Sequence, residues 1–156
     1  MMKIKTLRSR RVAWIGLAMA AALASATAQT GPQPTLPTIT LTAGMHVITA
    51  EVARSQDERA TGMMFRREMP ANAAMLFAFE QAGAHCFWMQ NTPLPLSIAF
   101  IADDGTVVNL ADMKPMSTES HCATKPVRFA LEMNQGWFAK RGIQPGFRLR
   151  GGPFPK

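Results

Sequence analysis

Ser97-Ile98-Ala99-Phe100-Ile101-Ala102-Asp103-Asp104-Gly105-Thr106-Val107-Val108-Asn109-Leu110 is two apolar runs joined by Asp-Gly. Asp-Gly suits a tight turn with positive φ at both central residues, so the two runs read as an antiparallel hairpin. Ser97–Ala102 is one strand and Thr106–Leu110 its partner. A hairpin buries little by itself, so further strands must cover it.

Those strands are found on both sides. Upstream, Met75-Leu76-Phe77-Ala78-Phe79 is a short apolar strand, and Glu80–Ala84 is a turn. His85–Met89 is a second strand that runs into the polar turn Gln90-Asn91-Thr92-Pro93. Further upstream, Ile39-Thr40-Leu41-Thr42 alternates apolar and polar side chains, Ala43-Gly44 is turn chemistry, and His46–Ala53 resumes as the paired strand. Ser55 with Glu58 three residues later is a capping box, predicting a helix over about Gln56–Met64. Downstream, Asp112–Thr124 is a polar loop. Val127–Met133 alternates, with Val127, Phe129, Leu131 and Met133 on one face and Arg128, Ala130 and Glu132 on the other. Gln135–Arg141 reads as a second short helix closed by Gly142, with Trp137 and Phe138 on its buried face. Ile143–Arg150 supplies a last strand. Seven or eight short strands and two short helices predict a mainly β (α+β) fold, a small antiparallel sheet curled like a barrel.

The N-terminus reads as an export signal. Lys3, Lys5, Arg8, Arg10 and Arg11 form a basic region, Val12–Leu23 is apolar, and Ala26-Thr27-Ala28 is a cleavage site. The apolar run is shorter than the ~20 residues a membrane-spanning helix needs. Any membrane attachment would come from the uncleaved signal. Residues 1–28 are therefore read as a signal peptide, 29–37 as a Pro-rich disordered linker, and 38–152 as a single β-rich domain. The formal charge of +7 is largely the leader's. Five of the 17 Lys and Arg lie there with no acidic residue, leaving 12 cations against 10 anions. No clustered basic face points to nucleic acid. The expected location is periplasmic or secreted.

The run Glu58-Arg59-Ala60-Thr61-Gly62-Met63-Met64-Phe65-Arg66, followed by Phe87-Trp88-Met89-Gln90-Asn91-Thr92 and Pro95-Leu96, resembles the "domain of unknown function 192" family. Met75-Leu76-Phe77, Phe100-Ile101, Asp104-Gly105, Leu131-Glu132, Gly136 and Gly142 extend the resemblance over about Thr38–Arg150. It implies a compact β-rich fold and no established activity. Many members carry Asp after the Pro-Leu pair; here the position is Ser97. A carboxylate acting there as base or metal ligand in relatives is absent from this chain.

Two cysteines in an exported domain predict a Cys86–Cys122 disulfide, worth up to ~4 kcal/mol by chain entropy. The competing reading is metal, since His85 precedes Cys86 and His121 precedes Cys122. Two His and two Cys can hold zinc, but neighbours on a strand point to opposite faces and no Cys-x-x-Cys is present. Copper is a related alternative, with Met113 and Met116 near His121. The expectation is no metal and no cofactor.

Arg59 and Arg66 lie seven apart and would share a helix face. They read either as an anion clamp beside Asn91 and Trp88, or as structural partners of Glu51, Glu58 or Glu132. A Trp in an apolar strand is ordinarily core, whereas the functional reading of Trp88 is a stacking surface. Asn91 and Thr92 can bind ligand, or satisfy the backbone of a tight turn. His121 with Asp112 is a weak acid–base pair, and no nucleophile motif is present. The candidate ligand-binding set is Arg59, Arg66, Trp88, Asn91, Thr92 and His121, with no catalytic residue. These features predict an exported binding or accessory module for a small polar or anionic ligand. The alternatives are a small hydrolase- or lyase-like enzyme on a saccharide, a periplasmic copper- or zinc-binding protein, and a structural partner protein.

Overall fold

The computed structural model describes residues 30–155. The expected signal peptide lies outside the described residues. Among the described residues eight strands form: β1 Thr38–Ala43, β2 His46–Ala53, β3 Ala73–Gly83, β4 Cys86–Phe87, β5 Leu96–Ile101, β6 Val107–Met113, β7 His121–Cys122 and β8 Val127–Asn134. Six of them make one sheet in the order β1-β2-β3-β8-β5-β6, and β4 pairs with β7 in a separate ribbon.

Both expected hairpins are present. β1 pairs antiparallel with β2 through Leu41 and Ile48. β5 pairs antiparallel with β6 on either side of the Asp103–Gly105 turn. The sheet departs from the all-antiparallel expectation at β2–β3, which run parallel with Val52 opposite Leu76. A parallel pair needs a long crossover, and residues 54–72 supply it. That crossover carries α1, Gln56–Thr61, whose capping box forms as expected between Ser55 and Glu58. The helix stops three residues earlier than predicted because Gly62 takes φ 48° and ψ −128°, a conformation open chiefly to glycine. The second predicted helix is only a 3-10 turn, Ala139–Arg141, ended by Gly142 in the left-handed conformation.

The sheet is also not a closed barrel. The tail crosses between its two edges. Arg150 exchanges backbone hydrogen bonds of 2.8 and 3.0 Å with Thr42 on β1, while Val107 on β6 donates to Phe147 O at 2.8 Å. Leu149 N–H donates to Gly105 O at 2.9 Å. Gly105 has φ 85°, and a Cβ there would stand 2.2 Å from Leu149 O, so the close approach requires glycine.

Both faces of the sheet are covered. On one, Leu41, Ile48, Leu76, Ile101, Leu131 and Met133 pack under Trp137, Phe138, Leu149 and Phe154. On the other, Met75, Phe77, Ile98, Phe100 and Ala130 pack under Met63, Met89 and Leu94. Burying a side chain such as Phe77 or Phe100 contributes roughly 2–3 kcal/mol. The Pro-rich stretch read as a linker is docked from Gln33 onward. Gln33 Nε2 donates to Glu58 O at 3.1 Å and Gly62 O at 2.9 Å, adding a second donor to Glu58 O, which already accepts Gly62 N–H at the end of α1. Leu36 N–H donates to Glu51 Oε2 at 2.8 Å.

Candidate functional site

The second core face is not completely filled. Between the C-terminal end of α1, β3, β8 and the segment after β4 lies a cavity of about 40 Å³, lined by Arg59, Gly62, Met63, Met64, Phe77, Phe87, Trp88, Thr92 and Glu132. That is room for a few water molecules, hence for one small polar group. Gly62 shapes it: a Cβ at that position would come within 3.1 Å of the Phe77 ring. Phe87 forms a wall, held edge-on to Phe77 at 4.8 Å and to Phe100 at 5.8 Å.

Glu132 is the unexpected member. It stands on β8 between Met75 on β3 and Ile98 on β5, with only 4 % of its surface exposed. No hydrogen bond reaches its carboxyl among the described residues, and burial alone pushes its pKa up to about 8. It is therefore a neutral acid at pH 7. A carboxyl kept protonated by an apolar site is a recurrent feature of functional sites. The available signal was one carboxylate inside the apolar run Phe129–Met133. The sequence offers Glu132 as a partner for Arg59 or Arg66, but it pairs with neither, and alternation does not mark it as buried because both faces of β8 are covered there.

Three of the sequence-predicted residues meet here. Trp88 is 51 % exposed, against the ordinary reading as core, because β4 ends at Phe87 and the chain turns outward. It presents a flat surface at the rim. Thr92 is buried, and its hydroxyl donates to Gln90 O at 3.3 Å, the turn-satisfying role. Arg59 lines the cavity, but Nη1 donates to Arg54 O and, at 3.1 Å, to Ala78 O. Its Cζ stands 5.0 Å from the Phe79 ring centroid.

The other three lie elsewhere. Arg66 pairs with Glu51, Nη2 to Oε2 at 2.8 Å. The two-arginine anion clamp is thus not assembled, and the structural reading of Arg66 applies. Asn91 lines a neighbouring cleft of about 600 Å³ with Phe65, Arg67, Pro93 and Met116. Phe65, Asn91 and Met116 are the non-glycine residues with positive φ among the described residues, at 64°, 56° and 60°. Such backbone conformations are costly and collect at functional sites. His121 sits on β7 opposite Phe87 and does not line the cavity.

Cys86 and Cys122 face one another across β4–β7 with sulfurs 2.07 Å apart, as a disulfide requires. Sulfurs so paired are not thiolate ligands, which removes the two-His, two-Cys zinc set. Met113 is fully buried in the core, away from the solvent-exposed Met116. Ser97, where many relatives carry Asp, donates to Asp112 Oδ1 and accepts from Gly136 N–H at 2.8 Å. It serves as a structural bridge between β5, β6 and the turn after β8.

Two solved structures are similar over most of their length. One is a Sinorhizobium meliloti 1021 protein described provisionally as a transcription regulator, with TM-score 0.73 and 33 % identity over 78 % of this chain and 99 % of its own. The other is a Novosphingobium aromaticivorans DSM 12444 protein of unknown function, with TM-score 0.69 and 33 % identity over 80 % and 94 %. No curated protein matches. The family model DUF192, described as "Uncharacterized ACR", matches residues 38–151, which takes in the cavity, the docked tail and every strand, so the chain belongs to the DUF192 family.

Proposed function

We propose that this protein is an exported binding module that takes a small polar group of its ligand into the Glu132 cavity and lays the rest against Trp88. The observation that carries the reading is an unpartnered, buried carboxyl opening into a cavity whose rim holds a half-exposed tryptophan. An apolar pocket with one or two fixed polar groups is the usual form of a small-molecule site. Cleavage after Ala28 and residence in the periplasm belong to the same proposal, supported by the basic-then-apolar leader and the paired cysteines. Thermal shift and tryptophan fluorescence against a panel of sugars, cell-wall fragments and small amines test it. Binding that Trp88→Ala abolishes without lowering stability is the expected result. No response to any member of the panel overturns it.

A second reading is favoured by the same carboxyl. A neutral acid at pH 7 is what protonation of a leaving group requires, so a hydrolase- or lyase-like activity on a saccharide is the alternative. Product formation lost in Glu132→Gln, with ligand binding retained, would establish that reading over simple binding.

A further inference from the structure

We propose that the group taken into the cavity is the terminal ammonium of an alkylamine-type ligand, held against Glu132 by its carboxylate and enclosed by Phe77, Phe87 and Trp88. This rests on the binding reading above and adds the ligand's charge. The walls decide the class. Aromatic ring faces carry negative quadrupole and thioethers are polarizable, so a wall of Phe, Trp and Met favours a cation over an anion. The Thr92 hydroxyl donates to Gln90 O, and Nη1 of Arg59 donates to two carbonyls with the guanidinium over Phe79, which leaves fewer cavity donors to meet an anion. Glu132 is left as the ionisable group in the cavity with no partner of its own.

The groups around Glu132 are mostly apolar. From β3 it faces Met75 and Phe77, from β5 Ile98, from β4 Phe87, from the residue after β4 Trp88, and from the following turn Thr92. Arg59 on α1 is the charged group that shares the cavity, and it forms no ion pair with Glu132. The volume of about 40 Å³ admits an ammonium with its adjoining methylene and excludes a ring. The step balances as proton exchange. Glu132–COOH and R–NH3⁺ give a Glu132 carboxylate–ammonium pair, and one proton leaves to solvent.

The test uses the mature exported chain with benzylamine, benzyl alcohol and benzoate, which share a ring for Trp88 and differ only in the head group. Benzylamine should bind best, with affinity rising up to tenfold per pH unit from pH 6 towards the titration of Glu132. Calorimetry in two buffers of different ionisation enthalpy should count close to one proton released per benzylamine at pH 6.5. Glu132→Gln should lose the proton release and the pH dependence together. Tighter binding of benzoate or benzyl alcohol, or benzylamine binding without proton release, overturns the ammonium assignment while leaving the cavity as a binding site. No response to any of the three overturns both. The proton count is made on the unaltered protein, so a variant that fails to fold does not spare the proposal.

Discussion

Arg66 lays its guanidinium against both carboxylate oxygens of Glu51, with Nη2 2.8 Å from Oε2, and the same Oε2 accepts Leu36 N–H at 2.8 Å. One carboxylate thereby ties the segment after α1 and the N-terminal segment to β2. Burial pushes the Glu51 carboxyl up, but the hydrogen bonds from Arg66 and Leu36, with the guanidinium charge, outweigh it and hold the pKa below the ordinary 4.5. A carboxylate lowered in the folded state stabilises above its ordinary pKa, and that stability is lost as pH falls through and below 4.5. Glu51→Ala should cost about 2 kcal/mol at pH 7, since it leaves a charged donor and a backbone N–H unmet. The loss should shrink towards pH 3. A urea midpoint unchanged at pH 7 would show that the pair contributes nothing.

Glu132 carries the opposite sign. Its pKa is raised in the folded protein, so between about 4.5 and about 8 the folded state holds a proton that the unfolded chain releases. Stability therefore falls as pH rises through that window, by up to about 1.4 kcal/mol per pH unit. Glu132→Gln should melt with much less pH dependence from pH 5 to 8 and overtake the wild type near pH 8. Identical melting curves against pH for the two proteins would sink this account of Glu132.

Trp88 and Phe87 are neighbours with opposite fates. Trp88→Ala removes a half-exposed ring and should change stability by less than about 1 kcal/mol. Phe87→Ala removes the ring packed between Phe77 and Phe100 and should cost about 3 kcal/mol. Chemical denaturation of the two variants separates the cases, and equal losses contradict the structure.

The Cys86–Cys122 link closes a separation of 36 residues. Replacing both cysteines with serine should lower stability by about 2–4 kcal/mol. Both residues are exposed, so dithiothreitol should produce the same loss without prior unfolding. A reductant-independent midpoint would mean that the bridge is not formed.

Gly105 is the least replaceable residue of the hairpin. An alanine Cβ would collide with Leu149 O while the backbone sits at φ 85°. Gly105→Ala should cost more than about 2 kcal/mol. Hydrogen exchange should show lost protection at the Leu149 amide before the amides of β8.

Local chemistry was the legible part. The Asp103–Gly105 turn, the Ser55–Glu58 box and the alternation of Ile39–Thr42 each act within a few residues, and the hairpin, the box and the alternation all form, although positive φ in the turn falls on Gly105 and not on Asp104. The parallel β2–β3 pairing was hidden because nothing near Val52 specifies a partner as distant as Leu76. The core reading of Trp88 fails because a two-residue strand leaves too little alternation to show where it ends. The burial of Glu132 is hidden for a related reason: the period-two rule assumes one wet face, and β8 has none at that point. Arg59 and Arg66 share a motif but not a site, because Gly62 breaks the helix that would have aligned them.

The tail that spans Thr42 and Val107 occupies strand edges that would otherwise stand open. Exposed edges are templates for pairing with other chains, so this crossing is also a guard against aggregation. A protease clipping before Phe147 would uncover both edges at once. Such a clipped species should self-associate edge to edge while its cavity residues, all upstream of the cut, remain in the chain.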